Sequence, residues 1–309
     1  MPSTSLAAQR MLARLWSDIR RAGGPLNSDE GEVSRGDALA AGSWGVVLAF
    51  DELARALPRW EPVRGEVAAL ACHASGRGLF TGPEGQAAAT GSSSCVAEAP
   101  GRHLTGGDLM MGSLGEGWSR LCLGEHNPDF GARPRVRPGD PGLAHGRLGV
   151  AAWQLPEVDV DELRAAEGVL VSPGWCNGRA GLAALALIAF RLRRDVDALD
   201  LAIDTIGQAI DECVATDGLC HGALGTLAVA AGAARIGRDK ELAKAVLEKT
   251  QALCENAQVN GWRLEEGRTL DHGWLTGVAG IAWGLLVVTR QPRVNPLSPA
   301  DSVVWSGGD

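Results

Sequence analysis

The sequence lacks an apolar run long enough to cross a bilayer. Its two longest, residues 180–190 and 278–288, each contain 11 residues, whereas a membrane-spanning helix needs about 20. Residues 1–20 also lack the continuous apolar stretch of a secretory signal, because charged side chains interrupt them. We therefore expect a cytoplasmic protein with no membrane span, in which both apolar runs form buried helices.

Clusters of positive charge are missing as well. The formal net charge is −8 and the sequence pI is near 5.3, with no lysine- or arginine-rich block to offset the acidic balance. Such a surface does not attract nucleic acid or anionic membranes, so nucleic acid is not an expected partner. Seven cysteines at irregular spacing favour reduced thiols, some of them bound to metal, over a disulfide framework.

No stretch shows the alternation of apolar and polar residues that is typical of a β-strand; what recurs instead is the motif Gly-x-x-Gly. Seven copies follow one another at intervals of 30 to 55 residues, and at least five of them open an apolar, alanine-rich segment. They are Gly42/Gly45, Gly82/Gly85, Gly112/Gly115, Gly146/Gly149, Gly178/Gly181, Gly222/Gly225 and Gly277/Gly280. A motif that recurs every few dozen residues indicates one supersecondary unit repeated along the chain.

The repeated unit is predicted to be a pair of helices. A glycine pair at a helix start lets backbone approach backbone closely. The segment that follows it is apolar around most of its circumference, as in residues 180–190, which indicates a helix buried on all sides. Between such segments lie stretches with apolar residues on one face only, most clearly residues 199–213. These stretches predict outer helices.

Alternating buried and one-faced helices in about seven repeats predict an all-α fold, an α/α toroid (a double helical barrel) with its glycine loops gathered at one end. Because the repeat between Gly82 and Gly112 is short, some outer helices are expected to be truncated or missing. The 309 residues fit one large domain, predicted over residues 1–290. Residues 291–309 contain three prolines and scattered polar residues, and are predicted to form a flexible C-terminal tail.

Two of the glycine motifs are preceded by residues that commonly bind metal. Cys176 lies two residues before Gly178, and the adjacent pair Cys220 and His221 directly precedes Gly222. Zinc accepts thiolate and imidazole ligands, and a site with three protein ligands keeps a fourth position for water or substrate. A glycine loop that turns into a helix can aim two adjacent side chains inward. The alternative is that both cysteines are small core residues and the histidine a packing or capping residue; the equivalent placement in two repeats favours zinc.

Four motifs in this order resemble the lanthionine synthetase C-like family. They are Asp108-Leu-Met-Met-Gly112-x-x-Gly115, Ala144-His145-Gly146, Trp175-Cys176-x-Gly178 and Cys220-His221-Gly222. The resemblance spans roughly residues 42–286, nearly the whole chain. The Cys-x-Gly and Cys-His-Gly motifs at successive repeats are specific to this family, whereas the other glycine motifs mainly support the toroid.

The resemblance implies that Cys176, Cys220 and His221 bind Zn2+, and that the open position takes the cysteine sulfur of a substrate peptide. A metal lowers the pKa of a thiol, and the thiolate would add to dehydroalanine or dehydrobutyrine to form the thioether of a lanthionine ring. His145 is the candidate donor of the proton that completes the addition. Asp108 is the second candidate catalytic residue, with a structural role as a helix cap as its alternative.

Two positions depart from the family pattern. Cyclising members tend to carry arginine four residues before the first zinc cysteine, where this sequence has Ser172, and tyrosine directly after it, where this sequence has Asn177 and no tyrosine anywhere. By position alone, Arg179 could replace the missing cation. These departures leave zinc binding intact and predict a divergent cyclase.

The resemblance therefore predicts an enzyme of ribosomal peptide maturation, acting on a precursor peptide with a leader. The dehydrated precursor would come from a dehydratase or from a kinase and lyase pair. One alternative keeps the zinc and adds glutathione to dehydrated proteins. Another is a noncatalytic toroid that binds leader peptide or organises a synthetase complex. A helical glycosidase is disfavoured, because no glycine loop presents the paired carboxylates that glycoside hydrolysis needs.

Overall fold

The structure, a computed structural model, describes residues 2–22, 43–70, 113–125, 140–144, 146–155, 157–212, 214–264 and 273–303. These ranges contain eleven α-helices, two short 3-10 turns and no strand. The helices are α1 Pro2–Ala22, α2 Ser43–Ala56, α3 Glu61–Leu70, α4 Ser113–Cys122, α5 Arg147–Trp153, α6 Val160–Glu167, α7 Arg179–Arg193, α8 Val196–Ala209, α9 Ala223–Gly237, α10 Lys240–Asn260 and α11 Val278–Val287. The 3-10 turns are Pro58–Trp60 and Pro299–Asp301. None of the described helices is both long and apolar enough to span a membrane.

Inner and outer helices alternate as the sequence predicts. The inner helices α7, α9 and α11 are buried over most of their length, because apolar and small residues surround each axis. The outer helices α8 and α10 bury one face each. Their starts differ in the same way: α8 and α10 begin at the capping side chains of Asp195 and Asp239, whereas each of these three inner helices begins at a glycine.

The inner helices lie side by side in a ring. In the order of their contacts they are α2, α11, α9, α7, α5 and α4, so the first inner helix packs against the last one. Helix α1 packs on the outside of α11 and α10 and also touches α2. The predicted all-α toroid is confirmed, and the repeat at Gly82/Gly85 lies outside the described residues.

Close backbone packing explains the second glycine of the repeated motif. A Cβ atom on Gly181, Gly225 or Gly280 would collide with the backbone carbonyl oxygen of Trp175, Leu219 or Trp274, respectively. In each repeat, the loop that precedes the inner helix lies directly across the first turn of that helix. The sequence repeat therefore reflects a steric requirement of the loop-to-helix junction.

Gly225→Ala is expected to lower the free energy of unfolding by about 1–3 kcal/mol, the usual cost of overpacking. The added methyl group has only the rigid Leu219 carbonyl to displace. Gly207→Ala is the matched control, because nothing lies within 4 Å of a Cβ atom built at this position in the last turn of α8. There, alanine should stabilise the helix by about 0.5–1 kcal/mol. Urea unfolding measures the free energy of unfolding of both variants. Equal values for the two would contradict the steric explanation.

The C-terminal residues differ from the prediction of a flexible tail. Val294, Leu297 and Ala300 are buried, and the 3-10 turn Pro299–Asp301 packs against α4, α7 and α9. The prediction is wrong for residues 291–303, because their apolar side chains fill the interior between the inner helices, where the Asp301 carboxylate and the Leu297 oxygen also accept hydrogen bonds. Residues 304–309 lie outside the described ranges.

Candidate metal centre

Four glycine loops meet at the starts of the inner helices. Each has the form Gly-x-x-x-Gly, and the loops are 142–146, 174–178, 218–222 and 273–277. The third residues of successive loops are joined by backbone hydrogen bonds. The N–H of Ala144 donates to the Cys176 oxygen over 2.9 Å, that of Cys176 to the Cys220 oxygen over 3.3 Å, and that of Cys220 to the Leu275 oxygen over 3.0 Å. This ladder places Cys176 and Cys220 at equivalent positions of neighbouring repeats.

Cys176, Cys220 and His221 converge where two of these loops meet. The His221 Nε2 atom lies 2.7 Å from the Cys176 Sγ atom and 3.9 Å from the Cys220 Sγ atom. All three potential ligand atoms lie within 4.8 Å of one another. Both thiols are buried, whereas His221 is exposed. The cluster therefore has a solvent-facing side on which a further ligand can enter.

The donor set fits zinc. Bonds of about 2.3 Å to sulfur and about 2.0 Å to nitrogen in a tetrahedral arrangement separate ligand atoms by roughly 3.5 to 3.8 Å. The two measured sulfur-to-nitrogen distances, 2.7 Å and 3.9 Å, lie on either side of that separation. All three ligand atoms lie within 4.8 Å of one another, so side-chain adjustments of up to about 1 Å would bring them to bonding positions.

The two candidate catalytic residues, Asp108 and His145, lie outside the described residues. The neighbours of His145 are described: Ala144 occupies the loop position that Cys176 and Cys220 occupy in later repeats. His145 therefore stands in the sequence position that corresponds to His221, one residue after the ladder. Its role, like that of Asp108, remains a prediction.

Ser172 takes part in the turn that starts its loop. Its Oγ atom accepts a hydrogen bond from the Gly174 N–H over 3.2 Å, and its backbone oxygen accepts one from Arg179 over 2.8 Å. Asp140 forms the equivalent side-chain hydrogen bond in the preceding loop: its Oδ1 atom accepts from the Gly142 N–H, two residues later, over 2.7 Å. The shared Pro-Gly that follows Ser172 and Asp140 is the sequence signal for this turn.

The two side chains that flank Gly178 have different environments. Arg179, considered by position as a replacement for the missing family arginine, forms an ion pair with Glu212. Its guanidinium is thus already engaged by a carboxylate. Asn177 is exposed, and its side chain makes no hydrogen bond within the described part of the chain. A free carboxamide therefore stands directly beside the Cys176 ligand position.

An ion pair supports the loop that carries Cys220. Asp217, which precedes this loop, is fully buried. Its Oδ1 atom accepts hydrogen bonds from the Nε and Nη2 atoms of Arg263 over 2.9 and 2.6 Å, and the Arg263 N–H donates to its Oδ2 atom over 2.8 Å. No local pattern predicts this ion pair, because Asp217 and Arg263 lie 46 residues apart in the sequence.

Two further described cysteines, Cys122 and Cys254, are buried outside the cluster. Desolvation by burial raises the pKa of both thiols, so they remain protonated at neutral pH. Its burial outside the cluster makes Cys254 a suitable control for substitutions of the cluster.

Comparison with known proteins agrees with the motifs. Residues 159–293, which include all three cluster residues, match the family model described as Lanthionine synthetase C-like protein. A solved structure titled "Nisin cyclase" matches with a TM-score of 0.59 and 16% sequence identity, over 96% of this chain and 97% of that chain; at this identity the likeness shows the fold. No curated protein matches the sequence significantly. With its motifs and this match, the chain resembles the lanthionine synthetase C-like family over residues 159–293, and its fold is similar to that of the nisin cyclase.

Proposed function

We propose that the protein is a zinc-dependent lanthipeptide cyclase, which adds cysteine thiols of a peptide to dehydroalanine or dehydrobutyrine in the same peptide. The observation that carries the proposal is the convergence of Cys176, Cys220 and His221 at the glycine-loop end of the toroid. Three protein ligands with one open side are typical of a catalytic zinc site, whereas structural sites usually have four. The resemblance of residues 159–293 to the lanthionine synthetase C-like family supports the same chemistry.

Cys176, Cys220 and His221 would hold the zinc ion. Bound there, zinc would lower the pKa of the substrate thiol and so supply a nucleophile at neutral pH. The two cysteines contribute from the buried side and His221 from the exposed side, so the substrate approaches from solvent. A peptide can reach this position without entering the interior of the ring, which residues 291–303 occupy.

The addition also needs a proton at the α-carbon and stabilisation of the negative charge that develops on the carbonyl oxygen. The family resemblance assigns the proton transfer to His145 and a supporting role to Asp108. The exposed Asn177 carboxamide could donate a hydrogen bond near the Cys176 position, although it lacks the acidity of the tyrosine that it replaces. Arg179 can assist only if it leaves Glu212.

The substrate class follows from this chemistry. It is a precursor peptide that carries both a free cysteine and a dehydrated serine or threonine, delivered by a dehydratase or by a kinase and lyase pair. The leader of that peptide would bind outside the metal cluster.

The direct test is cyclisation of a dehydrated precursor peptide with its leader attached. Ring formation does not change the peptide mass, so remaining thiols are capped with N-ethylmaleimide and counted by mass spectrometry. The wild type should consume thiols faster than the uncatalysed reaction and yield one diastereomer. Cys176→Ala should fall to the uncatalysed rate, because the thiol is no longer activated, and Cys254→Ala should match the wild type.

A noncatalytic toroid that binds peptide is the second candidate. It is favoured by the Arg179 to Glu212 ion pair and by the turn role of Ser172, which leave the cluster without the cation that the family supplies. Peptide binding that survives Cys176→Ala, together with no rate above the uncatalysed reaction in the wild type, would support this candidate. Thiol addition that requires glutathione would instead support the third function, repair of dehydrated proteins.

A further inference from the structure

The C-terminal segment, residues 291–303, reaches the loop that carries Cys176 from inside the ring. Its Leu297 oxygen accepts a hydrogen bond from the Trp175 indole N–H over 2.7 Å, and both residues are fully buried. Trp175 directly precedes Cys176. We propose that this contact makes the C-terminal segment a positioning element for the metal centre, with Trp175 as the positioning residue. The inference rests on the proposed zinc site.

A continuous path of hydrogen bonds, buried except at the partly exposed Arg235, holds Leu297 in place. Arg235, near the end of α9, pairs with both carboxylate oxygens of Asp301 over 3.0 and 2.6 Å. Asp301 accepts from the Asn295 side-chain amide over 3.1 Å. The oxygen of the same amide accepts from the backbone N–H groups of Leu297 and Ser298, each over 3.1 Å. The path thus runs from the far end of an inner helix to the loop that carries Cys176.

Trp175 transmits this constraint to the ligands through its own backbone. Its N–H donates to the Cys220 oxygen over 2.9 Å, and the next N–H, that of Cys176, donates to the same oxygen over 3.3 Å. The indole is therefore fixed on the inner side while the peptide is fixed to the neighbouring loop. The rotation of the Cys176 side chain relative to His221 depends on both contacts.

Loss of the indole hydrogen bond would mainly make the positions of the metal ligands less well defined. The Leu297 oxygen is buried and would lose its indole donor, so the loop and the segment must shift to regain a partner. Metal sites tolerate little displacement of their ligands. Mutation of a residue that orients a ligand typically lowers metal affinity 10- to 100-fold. Phenylalanine at position 175 keeps an aromatic ring but removes the donor together with part of the indole, so the control must remove the same volume elsewhere.

The chain offers a matched control in Trp118. This residue on α4 is equally buried, and its indole N–H donates over 2.8 Å to the oxygen of Pro296, directly before Leu297. The two indole rings also touch, with centroids 6.5 Å apart. Trp118→Phe therefore removes a similar hydrogen bond from the same segment and leaves the bond of Trp175 intact.

The test compares zinc affinity and thermal stability of the wild type, Trp175→Phe and Trp118→Phe. Zinc affinity is measured by competition with a chromophoric chelator, and the visible spectrum of bound Co2+ reports the geometry of the site. Both variants should melt a few degrees lower. Only Trp175→Phe should weaken zinc binding, by about tenfold, and shift the Co2+ spectrum.

Equal zinc affinity in all three proteins would overturn the inference. So would an equal loss in both variants, because the segment would then act only through overall stability. A wild type that binds no zinc would overturn both the proposed site and this inference. If the wild type binds zinc and Trp175→Phe binds it equally well, only this inference fails. If Trp175→Phe does not fold, Asp301→Asn replaces it: this variant weakens the path at its other end and should also lower zinc affinity.

Discussion

Purified wild-type protein is expected to contain about one zinc ion per chain, and both Cys176→Ala and Cys220→Ala are expected to contain almost none. Each substitution leaves two protein ligands, too few to hold zinc against a chelator or buffer. The measurement is elemental analysis under reducing conditions, because oxidation of neighbouring thiols would also release metal. No other prediction for this protein carries a larger effect.

Cys254→Ala is the control for this experiment. Its side chain is 3% exposed, comparable with 6% for Cys176 and 7% for Cys220, so the three substitutions remove thiols of similar burial. Cys254→Ala should keep its zinc. Wild-type protein that stays free of zinc after reconstitution would rule out the metal mechanism and favour the peptide-binding function. Loss of zinc from Cys254→Ala as well would indicate that the variants lose metal by unfolding.

Asp301→Ala is expected to lower the free energy of unfolding by about 3 kcal/mol. Removal of one partner of a buried ion pair usually costs about 3–5 kcal/mol. The value here lies at the low end, because the Arg235 side chain is 26% exposed and water can reach it. The cost arises because the Arg235 guanidinium and the Asn295 amide both lose their acceptor.

Urea unfolding measures this effect, with Asp161→Ala as the control. Asp161 forms a surface ion pair with Arg164, in which the two side chains are 85% and 49% exposed, and such pairs contribute about 0–1 kcal/mol. The double variant Arg235→Met with Asp301→Ala should recover part of the loss, since no charge is then left without its partner. Equal unfolding free energies for Asp161→Ala and Asp301→Ala would show that residues 291–303 contribute little to the core.

Features that depend on residues close together in the sequence were predictable, and features that depend on long-range contacts were not. The inner helices could be predicted because their evidence is local: each has an apolar circumference and a glycine pair at its start. The pairing of Cys176 with the Cys220-His221 loop was also predictable, since equivalent positions of successive repeats are brought together by the repeat itself. No long-range contact had to be known in advance.

Only the tertiary structure decided the position of residues 291–303. Prolines and scattered polar residues usually indicate an exposed segment, and this segment has both. It is buried because the ring of inner helices leaves an interior that must be filled, and because its Asp301 carboxylate and Leu297 carbonyl meet partners far away in sequence. The contact of Trp175 with Leu297 spans 122 residues, and no local pattern reports such a distance.

The sequence by itself determined the helical repeat, the family resemblance and the three residues of the candidate metal site, because these depend on local backbone requirements and on donor chemistry. The tertiary structure decided what surrounds that cluster: the engagement of Arg179 by Glu212, the support of the Cys220 loop by Asp217 and the contact of the C-terminal segment with Trp175. Packing brings these groups together across the ring, and packing is a property of the whole chain.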